Sequence, residues 1–276
     1  ESDLVLLLNP DTIIGEHVLK DAVGFMRTHS DAGALGVRML GANGKPARES
    51  RRGLPSPMVA FYKMMGLCSR FPRHRSFGHY YMGYLPWDEP APIEVVSGAF
   101  CMIRRVALQK VGLLDEDFFM YGEDIDLSYR ILKGGYQNYY LPVDILHYKG
   151  ESTQKSSFRY VHVFYEAMLI FFRKHYSGMS HLLSIPIKFA IYARASVALT
   201  QMMTTRIRKS LGFFSPSHVD LSDYVLFDAD EMSYEEILHQ LVLRSDENIK
   251  LATFTKDIGK VITDRDVMDK DEFGYL

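Results

Sequence analysis

The feature that most constrains this chain is a run of five apolar residues, Leu4-Val5-Leu6-Leu7-Leu8, stopped by Asn9-Pro10-Asp11. Five residues suit a strand rather than a helix, and a run that is apolar at every position belongs in a sheet covered on both faces. Asn, Pro and Asp then close the strand in a turn. The run predicts a fully buried, mid-sheet strand with neighbours on both sides. On that reading the sequence opens in the middle of a fold, with the earlier strands missing.

The rest of the first 150 residues alternates in the same way. Val18, Leu19, Val23 and Met26 recur at helical spacing between Gly15 and His29. Ala34–Leu40 reads as a strand and 41–46 as a turn cluster. Ile93–Ile103 reads as strand, glycine kink, strand, and Arg105–Val111 as a short helix stopped by Gly112. A further helix opens at Glu123-Asp124 and ends at Gly134-Gly135, before a last strand, Asn138–Pro142, and its exit, Asp144–His147. Strands that alternate with helices make an α/β fold on a mixed, Rossmann-like sheet with flanking helices. Between Ala47 and Pro92 the periodicity fails, which marks a functional insertion or a lid.

Ser156 or Ser157 is placed to cap a helix running to about His175. Beyond Gly212–Pro216 a small α/β appendage is expected: a strand at Tyr224–Phe227, a capping box Ser233-Tyr234-Glu235-Glu236 opening a helix, and a strand at Leu251–Phe254. The expected division is therefore 1–176 as the catalytic domain, 177–215 as a basic helical segment and 216–276 as the appendage. Asp228 and Asp230 read as a solvated loop with a helix cap, and the appendage is assigned no chemistry.

Charge narrows the partners. With 32 basic and 34 acidic residues the net charge is -2, which gives no footprint for nucleic acid. Cys68 and Cys101 form no CxxC pair and no disulfide framework; they read as small buried hydrophobes in a reducing, cytoplasmic setting. From Ala167 to Val219 there is no Asp or Glu, while Arg173, Lys174, Lys188, Arg194, Arg206, Arg208 and Lys209 are basic. Lys188 and Arg194 interrupt 185–207, which argues against a spanning helix of ~20 apolar residues. The segment either lies on an anionic membrane surface, at the inner face of the cell membrane, or packs on the catalytic domain with snorkelling basic residues.

Three carboxylate or imidazole positions carry candidate chemistry. Asp11 ends a strand, where α/β sheets place their ligands; it either holds a divalent cation or caps the turn. Asp124 opens a helix after Gly122, as a general base or as an N-cap, with Asp126 then on the solvent face. His147 ends the last strand as a metal ligand or a packed edge histidine, and Lys149 and the backbone at Gly150 are placed to meet phosphate oxygens.

Their order along one α/β pattern goes further. Leu6–Asp11, Val96-Ser97-Gly98-Ala99-Phe100-Cys101-Met102-Ile103-Arg104-Arg105, Val111–Phe119, Tyr121-Gly122-Glu123-Asp124-Ile125-Asp126-Leu127-Ser128-Tyr129-Arg130 and His147-Tyr148-Lys149-Gly150-Glu151-Ser152 together resemble family 2 glycosyltransferases of the GT-A fold. The likeness is to the rhamnosyltransferase-like group that builds cell-surface polysaccharides, and it covers roughly residues 3–176. It implies that Asp11, with Asn9 beside it, and His147 hold a divalent cation, Mg²⁺ or Mn²⁺, and that Asp124, preceded by Glu123, is the catalytic base. It also implies that Gly98 and Ala99 line the acceptor or donor-sugar pocket, with Asn9, Glu123, Arg52, Lys149 and Ser152 as the other substrate-binding candidates. Arg48, Arg51 and Arg52 fall where related proteins often carry arginines, and they either contact phosphate or lie on a solvated basic loop. The implied reaction is inverting transfer of a sugar, rhamnose among the candidates, from a nucleoside-diphosphate sugar to a saccharide or lipid-linked acceptor. The family's opening strand and nucleotide-binding acidic segment are absent from this sequence. The alternative reading is a catalytically incomplete binding or assembly module. A nucleotidyltransferase would need a Gly- and Lys/Arg-rich phosphate loop near its start, which this sequence does not show.

Overall fold

The computed structural model describes residues 2–148, 158–176, 196, 200, 203–204, 224–247 and 249–274. Two sheets organise them. The larger is built from β1 (Leu4–Leu8), β2 (Thr12–Ile14), β3 (Ala32–Leu40), β4 (Ala91–Ile93), β5 (Phe100–Arg104) and β6 (Gln137–His147), in the order β1-β5-β3-β6-β2, with β4 also on β6. β3 and β6 run parallel; the other pairings are antiparallel, so the sheet is mixed. Helices α1 (Val18–Thr28), α4 (Arg105–Val111) and α5 (Glu123–Lys133) flank it.

Strand alternation sorts the core into two layers. Leu35, Val37, Met39, Phe100 and Met102 face α1, whose Val18, Ala22 and Met26 complete that cluster. Ala34, Cys101 and Ile103 face the opposite way, onto Leu127 and Ile131 of α5. Both cysteines are buried and unbridged, and burial pushes the Cys101 thiol up to about 12.

β1 departs from the sequence expectation. Among the described residues it pairs with β5 alone, its first four residues are half-buried and Leu8 is 42% exposed. A strand bonded on one side cannot be enclosed as a mid-sheet strand is, whatever its composition. β6 departs too, being one strand where two pieces were expected. Proline has no N–H to give the ladder, and the register with β3 shifts past Pro142 and Val143, from Val37–Leu141 to Arg38–Asp144.

The irregular stretch after β3 is folded. It holds α2 (Pro57–Met64), capped by Ser56, and the short α3 (Leu67–Arg70), around buried Val59, Cys68 and Tyr80. Arg52 bridges to Val95, and β4 pairs with β6, which ties the insertion to the sheet at both ends.

Beyond α6 (Phe158–His175), the second sheet has the order β10-β9-β8-β7, from β7 (Tyr224–Asp228), β8 (Lys250–Thr255), β9 (Lys260–Ile262) and β10 (Val267–Asp269). α7 (Tyr234–Leu243) connects the parallel pair β7 and β8, and α8 (Lys270–Gly274) follows β10. Ile237, Leu238 and Leu241 of α7 share a buried cluster with Leu40 and Leu146 of the larger sheet. Both sheets lie in one compact unit, Glu1–Leu114, Asp124–Lys149 and Leu221–Leu276, and a second unit comprises Asp115–Glu123 and Gly150–Asp220. The expected serine cap before α6 and almost all of the basic segment 177–215 lie outside the described residues. Among the described residues no helix is long and apolar enough to cross a membrane.

Candidate active site

Asn9, Asp11 and His147 meet where β1 and β6 end. The turn after β1 is closed by Thr12 Oγ1 donating to the Asn9 carbonyl at 2.7 Å, and Tyr148 N donates to the Asp11 carbonyl at 2.9 Å. Register then decides the pairing. β2 runs antiparallel to β6 with Thr12 opposite His147, which sets Asp11 Oδ1 3.3 Å from His147 Nε2. The Asn9 amide nitrogen is 3.5 Å from the same ring nitrogen. Asp11 is open to solvent, while His147 is largely covered.

This pair has the chemistry of part of a cation shell: one carboxylate oxygen and one imidazole nitrogen, facing each other, with one side open. Among the described residues no group of three or more His, Cys, Asp or Glu side chains assembles. Two protein ligands fit a Mg²⁺- or Mn²⁺-type ion that takes its remaining ligands from water and substrate phosphate.

Asp124 sits in the first turn of α5, after Tyr121 and Gly122, both at positive φ (66° and 89°). At Gly122 a Cβ would lie 3.0 Å from the Phe118 ring, so both the backbone angle and the space call for glycine. Asp124 Oδ2 receives the Arg52 guanidinium Nη2 and, at 3.5 Å, the Gly98 backbone N–H. Among the described residues Oδ1 makes no hydrogen bond. Both partners of the ion pair are mostly buried. Burial, the largest single influence, opposes the Arg52 charge, but the field of Asp124 together with its hydrogen bond and the nearby Tyr80 and Glu49 raises the guanidinium pKa above its ordinary value. The two clusters are joined through one turn: Asn9 N donates to the Ala99 carbonyl at 3.0 Å, one residue from Gly98.

Asp126 is not on the solvent face. It is buried and accepts from Arg130 Nε at 2.7 Å. The other arms of Arg130 donate to the carbonyls of Val111, Gly112 and Leu113, at 2.7, 3.1 and 2.8 Å, and so hold α5 against the end of α4. Arg51 is buried as well, with Nη1 on the carbonyls of Leu85 and Pro86 and its guanidinium 3.5 Å from the centre of the Trp87 ring. Glu123 is the half-buried first residue of α5. Lys149 and Ser152 lie outside the described residues.

The sequence reading missed what the appendage brings. A cavity of 230 Å³ is lined by Gly41, Ala42, Asn43, His147, Lys250 and Asp264. Lys250 Nζ is 3.0 Å from Asp264, whose other oxygen accepts the Tyr224 hydroxyl. No local motif marks Lys250; it reaches this edge because Leu251 N bonds the Ala42 carbonyl at 2.8 Å. A larger cavity of 510 Å³, beside Gly15–Val18 and α7, holds none of the candidate residues. Asp228 and Asp230 are turn formers: Asp228 accepts the Asp230 N–H, and Asp230 accepts that of Lys256.

The structure thus forms two polar pairs, Asp124 with Arg52 and Asp11 with His147. Residues 4–227 match glycosyl transferase family group 2, and the chain belongs to that family. Over 212 residues it is 29% identical to the N-acetylglucosaminyl-diphospho-decaprenol L-rhamnosyltransferase of Mycobacterium tuberculosis, a match covering 75% of this chain and 66% of that protein. It is 26% identical over 126 residues to the low-salt glycan biosynthesis hexosyltransferase Agl10 of Haloferax volcanii, covering 46% of this chain and 36% of that protein.

Proposed function

We propose that this chain carries the acceptor-activating and cation-holding side of an inverting glycosyltransferase. The observation that carries the reading is Asp124, fixed through Oδ2 by Arg52 and the Gly98 N–H, with no hydrogen bond to Oδ1 among the described residues. In the reaction the acceptor hydroxyl gives its proton to Asp124 as its oxygen bonds to the anomeric carbon. The bond from that carbon to the diphosphate oxygen breaks, and the nucleoside diphosphate leaves with the electron pair. A single displacement, with no protein nucleophile, inverts the configuration. Such base catalysis contributes typically ~10²–10⁴-fold. A bound Mg²⁺ or Mn²⁺, held by Asp11 and His147, would neutralise charge on the leaving diphosphate. Arg52 keeps Asp124 in place, and Gly98 and Ala99 shape the wall beside it. Lys149, just after β6, is a candidate for phosphate contact, and Ser152 for substrate binding.

The mycobacterial relative supports rhamnose as the donor sugar and a lipid-linked, diphosphate-bearing saccharide as the acceptor. A cytoplasmic location, peripheral at the inner face of the membrane, follows from that acceptor. The test is a transfer assay over a panel of nucleoside-diphosphate sugars with a polyprenyl-diphosphate saccharide acceptor. Transfer with inverted product stereochemistry, dependent on a divalent cation and lost in Asp124→Asn, is expected. Full turnover in a folded Asp124→Asn protein would sink the base assignment. No transfer from any donor would favour the binding-module reading.

A further inference from the structure

We infer that the α2–α3 insertion is a membrane-docking face, and that its occupant is the surface of an anionic bilayer. On α2 and its C-cap, Met58, Phe61 and Met65 stand at i, i+3 and i+7, on one side of the helix, and are 56%, 43% and 60% exposed. Phe71, just past α3, adds another apolar side chain at 48% exposure. These are long, flexible or aromatic side chains gathered on one element, which is unlike the scattered apolar residues normal on a protein surface.

The face is not a fraying loop. Val59, Cys68 and Tyr80 form a buried base beneath it, and Phe77 braces it from the side, edge-on to Tyr62 with ring centres 4.9 Å apart and 5.8 Å from Phe71. Its outward side chains are therefore displayed by a packed scaffold.

Charge selects the occupant. From Ser50 to Trp87 the sequence contains no Asp or Glu, while Arg70, Arg73 and Arg75, five to ten residues after Met65, are exposed. Apolar side chains that enter the acyl boundary, bordered by arginines at headgroup level, are the pattern of an interfacial element. A second copy of the chain is a poorer fit, because an isologous contact would set these arginines against their own copies.

The position of the face gives it a use. α2 begins five residues after Arg52, the partner of Asp124, so the chain between them spans at most about 18 Å. A substrate hydroxyl carried on a lipid would be presented close to the carboxylate. The docking itself does not depend on the transfer reaction and is measured without it.

The test is sedimentation of the 276-residue protein with vesicles of phosphatidylcholine alone, or of phosphatidylcholine with phosphatidylglycerol. Binding to the anionic vesicles, weakened at high salt, is expected. Each exposed arginine contributes roughly fivefold, so Arg70→Ala/Arg73→Ala/Arg75→Ala together should weaken partitioning on the order of 100-fold. Phe61→Ser/Met65→Ser should abolish it. All five positions are on the surface, so the variants should keep the wild-type circular dichroism and melting temperature. Equal binding to neutral vesicles, or undiminished binding by both folded variants, would overturn the inference. So would an absence of vesicle binding, whether the protein stays monomeric or self-associates through this face.

Discussion

Arg51 and Arg52 are neighbours in sequence and opposite in role. Successive side chains on an extended backbone point to opposite sides. One guanidinium therefore lies on the carbonyls of Leu85 and Pro86, under Trp87, while the next reaches Asp124, 72 residues away. Nothing in the dipeptide distinguishes them. Removing one member of a buried ion pair leaves the other uncompensated, at ~3–5 kcal/mol. Arg52→Met is thus expected to destabilise strongly, and Arg52→Met/Asp124→Asn by less than the sum of its single changes; additive losses in a denaturant double-mutant cycle would show no coupling. His147→Ala should raise the cation concentration needed for half-maximal transfer, read from a Mn²⁺ titration. A pH-dependent clamp lies nearby. His79 Nε2 is 2.9 Å from Glu94, which also accepts the Leu54 N–H. The hydrogen bond to Glu94 raises the His79 pKa above 6.5; burial opposes ionisation of Glu94, yet the bonds from His79 and Leu54 hold its pKa below 4.5. The histidine's contribution is whole below about pH 6.5 and fades as pH rises through its raised pKa. That of the glutamate is whole above about pH 4.5 and fades as pH falls. The melting-temperature gap between wild type and His79→Gln should therefore be widest between about pH 4.5 and 6.5 and close on the alkaline side. The pair is partly exposed, so the gap is modest.

At the scale of elements, caps show how far local chemistry reaches. The box at Ser233–Glu236 was legible in the sequence, and Ser233 does accept the Glu236 N–H at 3.2 Å. The same helix has a second cap that no local pattern shows: Glu16 accepts the N–H groups of Tyr234 and Glu235, at 2.9 and 3.0 Å. Those bonds, with Glu235 foremost, lower the carboxylate's pKa. Glu16→Ala should cost ~1 kcal/mol in urea unfolding, as the loss of a cap does; an unchanged midpoint would count against this long-range cap. The glycine just before the helix that Asp124 opens was legible, and the positive φ of Gly122 gives the reason for it. The interruption at Pro142 was legible too, but whether it would end the strand or bulge it depends on the neighbouring strand.

At the scale of the molecule, the appendage shares a buried cluster with the larger sheet. Leu241 is fully buried in that cluster, so Leu241→Ala should cost ~2–5 kcal/mol. The two sheets should melt in one transition, followed by tryptophan fluorescence at Trp87 and by far-ultraviolet circular dichroism. Separate transitions would show that the cluster does not couple them. The same packing brings Lys250, in a segment whose sequence marked no candidate residue, to the cavity that His147 also lines.

The sequence by itself determined the alternation of strands and helices, the turn after β1, the glycine before Asp124 and the order of motifs that marks the family. These depend on side-chain period and backbone conformation, which neighbours along the chain settle. The partners were decided only by tertiary structure: Asp11 with His147 through the β2–β6 register, Asp124 with Arg52 through the bridge to Val95, and β1 left half-buried. A residue's type says which bonds it can make. Register and packing, which sum over residues far apart in the chain, say which of them it does make.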